Sequence, residues 1–197
     1  LLAMEEQDLD KYFKEMHRLK EKYKDQIDIK VGLELDFLPN HISWTRDILN
    51  EYGEYLDESI LSIHFLKGNR GWRCVDLNPE DFKEGLLDFY KSFEKVQLEY
   101  YRVLKEGIST DYGRYTPRKI GHISLCQKFQ HYFLKNEETK LTQAVENEIL
   151  SSLRLIKSKN KKIDYNVAGL YKAYCNEPYP SDWIVYQADK LGIQFEY

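Results

Sequence analysis

The sequence predicts an α/β protein built on a parallel sheet, and two observations carry that prediction. Short stretches rich in Ile, Val and Leu alternate with longer stretches of helical period along all 197 residues. The links between successive strands are long enough for crossovers, which parallel pairing requires. With no internal repeat and no linker, residues 1–197 read as one domain. An open sheet and a closed barrel both satisfy the pattern.

Each element has a local reason. Over 5–24, Leu9, Tyr12, Phe13, Met16, Leu19 and Tyr23 recur at helical spacing. In "IDIKVGLELDFL" (27–38), Ile27, Ile29, Val31, Leu33, Leu35 and Phe37 alternate with polar residues, predicting a strand that Pro39 ends. A short helix over 43–55 leads to "SILSIHFL" (59–66), apolar on both faces and so a buried strand. Asn78, Pro79 and the acids after them start a helix that runs to Glu106 with a kink near Gly85. "RKIGHISLC" (118–126) is a third strand, 139–157 a helix and "KKIDYNVAGL" (161–170) a fourth strand. Ser181 caps a helix through Lys190, and Gly192 ends it before a fifth strand, "IQFEY". The run "KSKNKK" (157–162) reads as a solvated helix-to-strand turn, with a phosphate patch the minority reading.

Side chains alternate across a strand, so each strand has a polar face. The first strand's holds Asp28, Lys30, Gly32, Glu34 and Asp36; the second's, Ser62 and His64; the third's, His122, Ser124 and Cys126; the fourth's, Asp164 and Asn166. If these faces point inward, Glu34, His64, His122 and Asp164 or Asn166 converge. Taken singly, each histidine also fits a hydrogen-bonded core residue, and Glu34 could pair with Lys30. Together, several carboxylates and imidazoles in one cavity call for a compensating cation. This donor set suits zinc, iron or manganese.

Composition bounds the alternatives. Apolar residues at 42% and aromatics at 14%, including 16 tyrosines, describe a globular chain. A net charge of −4 argues against a nucleic-acid partner. No apolar run reaches the ~18–20 residues of a membrane span. The three cysteines, Cys74, Cys126 and Cys175, lack any CxxC and fit a reducing cytoplasm.

"IKVGLELDFLP", "SILSIHFL", "RKIGHISLCQKF", "YNVAGLYK" and "EPYPSDWI", in this order, resemble the histidinol-phosphate phosphatases of the PHP (polymerase and histidinol phosphatase) superfamily. The resemblance covers nearly the whole chain. It implies a distorted (β/α)7 TIM-like barrel with two or three divalent ions, Zn, Mn or Fe, at the carboxyl ends of its strands. It implies Glu34, His64 and His122 as metal ligands. Arg118 becomes a candidate for substrate phosphate, Asn166 and Tyr171 for the pocket wall, and Asp76 with Trp72 for the amine and imidazole of histidinol. The implied reaction is metal-assisted hydrolysis of L-histidinol phosphate, a small phosphomonoester, to L-histidinol and phosphate. The alternatives are another phosphoester substrate or a non-enzymatic fragment. The family's H-x-H strand and D-x-H pair are absent from these residues, so a truncated chain and an incomplete barrel are expected.

Overall fold

In a computed structural model that describes residues 3–135 and 140–197, five strands form one parallel sheet in the order β1-β2-β5-β6-β7. They are β1 (Gly32–Asp36), β2 (Glu58–Ser62), β5 (Lys119–Ile120), β6 (Lys162–Asp164) and β7 (Phe195–Glu196). The two strands numbered between them, β3 (Phe65–Gly68) and β4 (Gly71–Cys74), make a separate antiparallel hairpin. Within the sheet each strand lies beside the one that precedes it along the chain, and every pair is parallel. The sheet is therefore wound in a single direction, as in TIM-like folds. Among the described residues β1 and β7 are edges, so these five strands remain open.

The strands are shorter than the sequence predicts. Residues 27–31 lie outside β1, and Ile27 is exposed. The predicted strand at 59–66 stops at Ser62, and the predicted strand at 118–126 stops at Ile120 before a 3-10 turn at Leu125–Gln127. The stretch 161–170 holds β6 and then a 3-10 turn at Val167–Tyr171, opened by Asn166, whose side chain accepts from the Ala168 amide. Alternation marks where strands lie; hydrogen bonding to a neighbour decides where they end.

One sheet face is apolar and covered by helices. Leu35 and Phe37, Leu61 and Ile63, Ile120 and Ile163 are all buried there. The covering helices include α1 (Leu9–Tyr23), α2 (Ile42–Tyr52), α5 (Phe93–Ser109), α7 (Gln143–Ser158) and α8 (Asp182–Lys190). From α5 come Tyr100, Tyr101, Leu104 and Ile108, from α7 Val145, Ile149, Leu153 and Ile156, and from α8 Ile184 and Ala188. Truncating one of the larger aliphatic side chains to alanine costs about 2–5 kcal/mol. The predicted first residue of α7, Thr139, lies outside the described residues; the helix begins at Gln143, capped by Thr142 Oγ1 accepting from the Val145 amide.

The long helix predicted from Asn78 to Glu106 is two helical segments. Asn78 caps the first as expected, its Oδ1 accepting from the Asp81 amide at 2.7 Å. That segment runs as α3 (Pro79–Phe82), a π-turn (Lys83–Leu87) and α4 (Asp88–Tyr90). Lys91 then turns left-handed at φ 72°, and Ser92 caps α5. The π-turn contains Gly85, where a Cβ would fall on the Arg73 side chain of the hairpin. The remaining short helix is α6 (Gln130–Phe133). Ser181 holds the N-cap position of α8 without a side-chain cap bond, and Gly192, at φ 63°, follows the helix end as predicted.

The lysine run is not uniformly solvated. Lys161 is buried with its Nζ donating to the Pro117 carbonyl, and Lys162 begins β6. All three cysteines are buried and free. No helix among the described residues is long and apolar enough to cross a membrane.

Candidate metal centre

Glu34, His64 and His122 meet at the carboxyl ends of β1, β2 and β5. One donor atom from each lies within 4.8 Å of the other two. His122 Nε2 is 2.8 Å from Glu34 Oε1, and His64 Nε2 is 3.6 Å from the same oxygen. The two rings are tilted by 54°, with centroids 4.7 Å apart.

Each side chain arrives by a different local device. Glu34 sits inside β1 on the polar face. His64 is two residues past β2, where the chain leaves the sheet for the hairpin. His122 reaches the site against its strand phase. Paired parallel strands share side-chain direction, and β5 sets Lys119 beside Ile60 and Ile120 beside Leu61. Extending that register would put His122 on the helix face with Ile63, so Ser124 and Cys126 do not line up behind it on one strand. The strand instead ends after Ile120. Gly121 lets the backbone pass close to β2, for a Cβ there would strike Ser62 Oγ. His122 then turns toward Glu34, its carbonyl accepting from the Leu125 amide and the Tyr100 hydroxyl.

The surroundings set the charge state. Hydrogen bonding to His122 pulls the Glu34 carboxyl down to about 2, burial opposing and Ser62 assisting. Burial disfavours the charged form of His64, yet Asp36, Glu34 and Asp76 outweigh it and raise its pKa. Asp76 stays ionised because Cys74, Lys128 and His64 overcome its burial. Lys128 grips Asp76 through both the backbone carbonyl and Oδ2. Burial raises Asp164, although His122 and Lys119 draw it back.

Of the other predicted residues, Asn166 accepts from the Ala168 amide and bridges Tyr179 through its backbone. Tyr171 ends a 3-10 turn and is 85% exposed, and among the described residues no hydrogen bond, ion pair or ring contact ties it to the cluster. Trp72 lies in β4 rather than in a loop. Arg118 is not brought to the cluster. It precedes β5, so it opens at the amino end of the sheet and lines a cavity there with Glu58, Lys119, Lys162 and Glu196. Sequence reasoning left Asp36 without a role and did not find Lys128. Asp36 was findable, two residues beyond Glu34 on the same face; Lys128 gives no signal in sequence.

The group fits a divalent cation. Both Nε2 atoms point at one carboxylate oxygen, and two imidazoles with a carboxylate form a set that zinc, manganese or iron accepts. A sheet wound in one direction, with such a group at its carboxyl ends, defines a TIM-like α/β protein with a candidate hydrolytic metal site. The histidinol-phosphatase of Bacillus subtilis (strain 168) is 34% identical over 191 residues, covering 97% of this chain and 69% of that protein. A protein of Deinococcus radiodurans named as a probable histidinol-phosphatase is 26% identical over 192 residues, 98% of this chain and 64% of that protein. A crystal structure described as a candidate histidinol phosphatase from Listeria monocytogenes superposes with a TM-score of 0.95 at 42% identity, covering 99% of this chain and 71% of that one. No family model matches the chain. The chain belongs to the histidinol-phosphatase family, which are hydrolases.

Proposed function

We propose that this chain hydrolyses L-histidinol phosphate to L-histidinol and phosphate, with Glu34, His64 and His122 as metal ligands. The observation that supports this most directly is the meeting of one carboxylate and two imidazoles, from three separate segments, within 4.8 Å. Divalent ions held there would supply positive charge for the phosphoryl oxygens and a water acidic enough to attack phosphorus at neutral pH.

The chain's own groups account for the rest. Glu34, ionised across the working range, brings the anionic ligand. Ser62 fixes its rotamer by donating to Oε1 at 2.6 Å. Asp76 offers an ionised carboxylate, pinned by Lys128, beside His64. In this reading it receives the substrate amine, while Asn166 and Tyr171 border the pocket. Arg118, at the other end of the sheet, is left out of phosphate binding.

We further read residues 1–197 as a single domain, most of a distorted (β/α)7 barrel of the PHP type, working in the cytoplasm on a small phosphomonoester without nucleic acid. Zinc, manganese or iron fits the donors. Three donors suit one ion, and a centre of two or three ions needs donors beyond this group.

The test is phosphate release from a panel of L-histidinol phosphate, other small phosphomonoesters and phosphodiesters, with and without a chelator. Chelator-sensitive release with L-histidinol phosphate preferred is the expected outcome. Preference for a different phosphoester overturns the substrate, and no release from a metal-loaded, folded chain supports the non-enzymatic fragment.

A further inference from the structure

The two strands that deliver Glu34 and His64 each support the other's side chain. Glu34 and Asp36 lie two residues apart on one face of β1, and the parallel register sets them beside Ile60 and Ser62 of β2. Ser62, fully buried, donates its hydroxyl to Glu34 Oε1. In return, Asp36 Oδ1 sits 2.7 Å from His64 Nδ1. The backbone carries the same tie, the Phe37 amide donating to the Ser62 carbonyl at 2.9 Å. His64 is thus held from β1, although it follows β2 in the chain.

A neutral imidazole has one N–H and one bare nitrogen, and whichever partner it meets decides which is which. Asp36 accepts, so Nδ1 carries the hydrogen and the lone pair is left on Nε2. That is the atom that faces Glu34 Oε1 and joins the three-donor group, from which Asp36 itself is absent. His122 has no equivalent: its Nδ1 is buried without a hydrogen-bond partner among the described residues.

We propose that Asp36 is a positioning residue, which accepts the His64 Nδ1 hydrogen and so presents Nε2, in the right tautomer and ring plane, to a divalent cation. This rests on Glu34, His64 and His122 being metal ligands. Carboxylates placed behind ligating histidines in this way typically affect metal affinity by about ten- to hundredfold.

The experiment has two arms, neither of which reads activity. Long-range proton–nitrogen NMR on the 15N-labelled chain, at a pH where His64 is neutral, reports its tautomer. Hydrogen on Nδ1 is expected, and hydrogen on Nε2 overturns the proposal. In the second arm, Zn2+ competes against a chelating dye for the wild type and Asp36→Ala. A loss of about ten- to hundredfold in affinity, with both His64 tautomers now visible, is expected. Wild-type affinity together with an unmixed Nδ1–H tautomer in Asp36→Ala overturns it. Should Asp36→Ala fail to fold, the wild-type tautomer alone decides. A wild type that binds no Zn2+ sinks the ligand assignment instead, and the tautomer still answers for Asp36.

Discussion

The two ends of one sheet face solve the same electrostatic problem in opposite ways. At the amino ends of the strands, Lys119 lies 3.3 Å from Glu196 and 3.9 Å from Glu58, and Lys162 also pairs with Glu196. Two lysines meet two glutamates there, and the field of Lys119 also reaches Asp164. At the carboxyl ends, Glu34, Asp36, Asp76 and Asp164 gather around two imidazoles, with Lys128 the cation that Asp76 holds. Here the negative charge exceeds what the named side chains return. Buried ion pairs are replaceable by apolar groups at little cost, whereas an uncompensated buried carboxylate is expensive. The difference teaches which end is scaffold and which end waits for a ligand.

The sharpest way to break this division is to remove a donor. Glu34→Gln and His122→Ala are each expected to lower kcat/KM for L-histidinol phosphate about a thousandfold, the equivalent of ~4 kcal/mol of lost transition-state stabilisation. Elemental analysis of the purified variants should show metal falling in parallel while the circular-dichroism spectrum is kept.

A steric change comes next. In Gly121→Val the new side chain would press on Ser62 and on Ile60, whose Cγ2 lies 2.9 Å from the added Cβ position. Overpacking of this kind costs about 1–3 kcal/mol, read from urea unfolding. Metal affinity should fall with it, because Ser62 orients Glu34.

Acidification tests the role proposed for His64. His64 has a raised pKa, so in the metal-free protein it takes up a proton at higher pH than an ordinary imidazole, and metal must displace that proton. Affinity is therefore expected to fall about tenfold per pH unit below that raised pKa, measured by dye competition. The stability of the metal-free chain runs the other way. His64's contribution is fully present below the ordinary imidazole range of ~6.5 and fades as pH climbs through its folded pKa. Glu34, pulled down to about 2, contributes above the ordinary carboxylate range and loses that contribution as pH drops toward 2.

The smallest effect should come from the other end. Lys119→Met removes the central cation of the amino-end network, whose glutamates keep part of their surface in water. Because those glutamates stay solvated, it is expected to cost about 1 kcal/mol of stability and to leave metal occupancy unchanged within threefold. If Lys119→Met also empties the metal centre, the two ends are not independent and the contrast above fails.

Much of this was readable before any coordinates, and the gaps have physical causes. Residue alternation in "VGLELDF" placed Glu34 on the polar face of its strand, because a strand's period of two is fixed by its backbone. The same rule brings His122 to the site for the wrong reason: it reaches Glu34 only since β5 stops at Ile120 and Gly121 permits a close pass. The hairpin after His64 was missed although "KGNRGW" contains its turn. Arg70 is left-handed at φ 63° and Gly71 sits at φ 114°, while Asn69 bonds back to the Gly85 carbonyl. Gly85 reads as a kink, but its lack of a side chain makes room for Arg73 of the hairpin. Arg118 was placed by nearness in sequence, which ignores that four residues of extended chain carry a side chain from one end of a sheet toward the other.

The chain position of His64 couples its imidazole to something outside the sheet. Just after it, Phe65 pairs with Cys74 to close the hairpin, and the Val75 amide donates to the His64 carbonyl at 2.8 Å. The hairpin is in turn moored to the helical segment behind it by Asn69, by the Tyr90 hydroxyl on the Lys67 carbonyl and by Arg73 with Asp81. It acts as a lever arm whose fulcrum is an imidazole. Shifting the Phe65–Cys74 closure by one residue would swing the ring away from its partners without touching any of them.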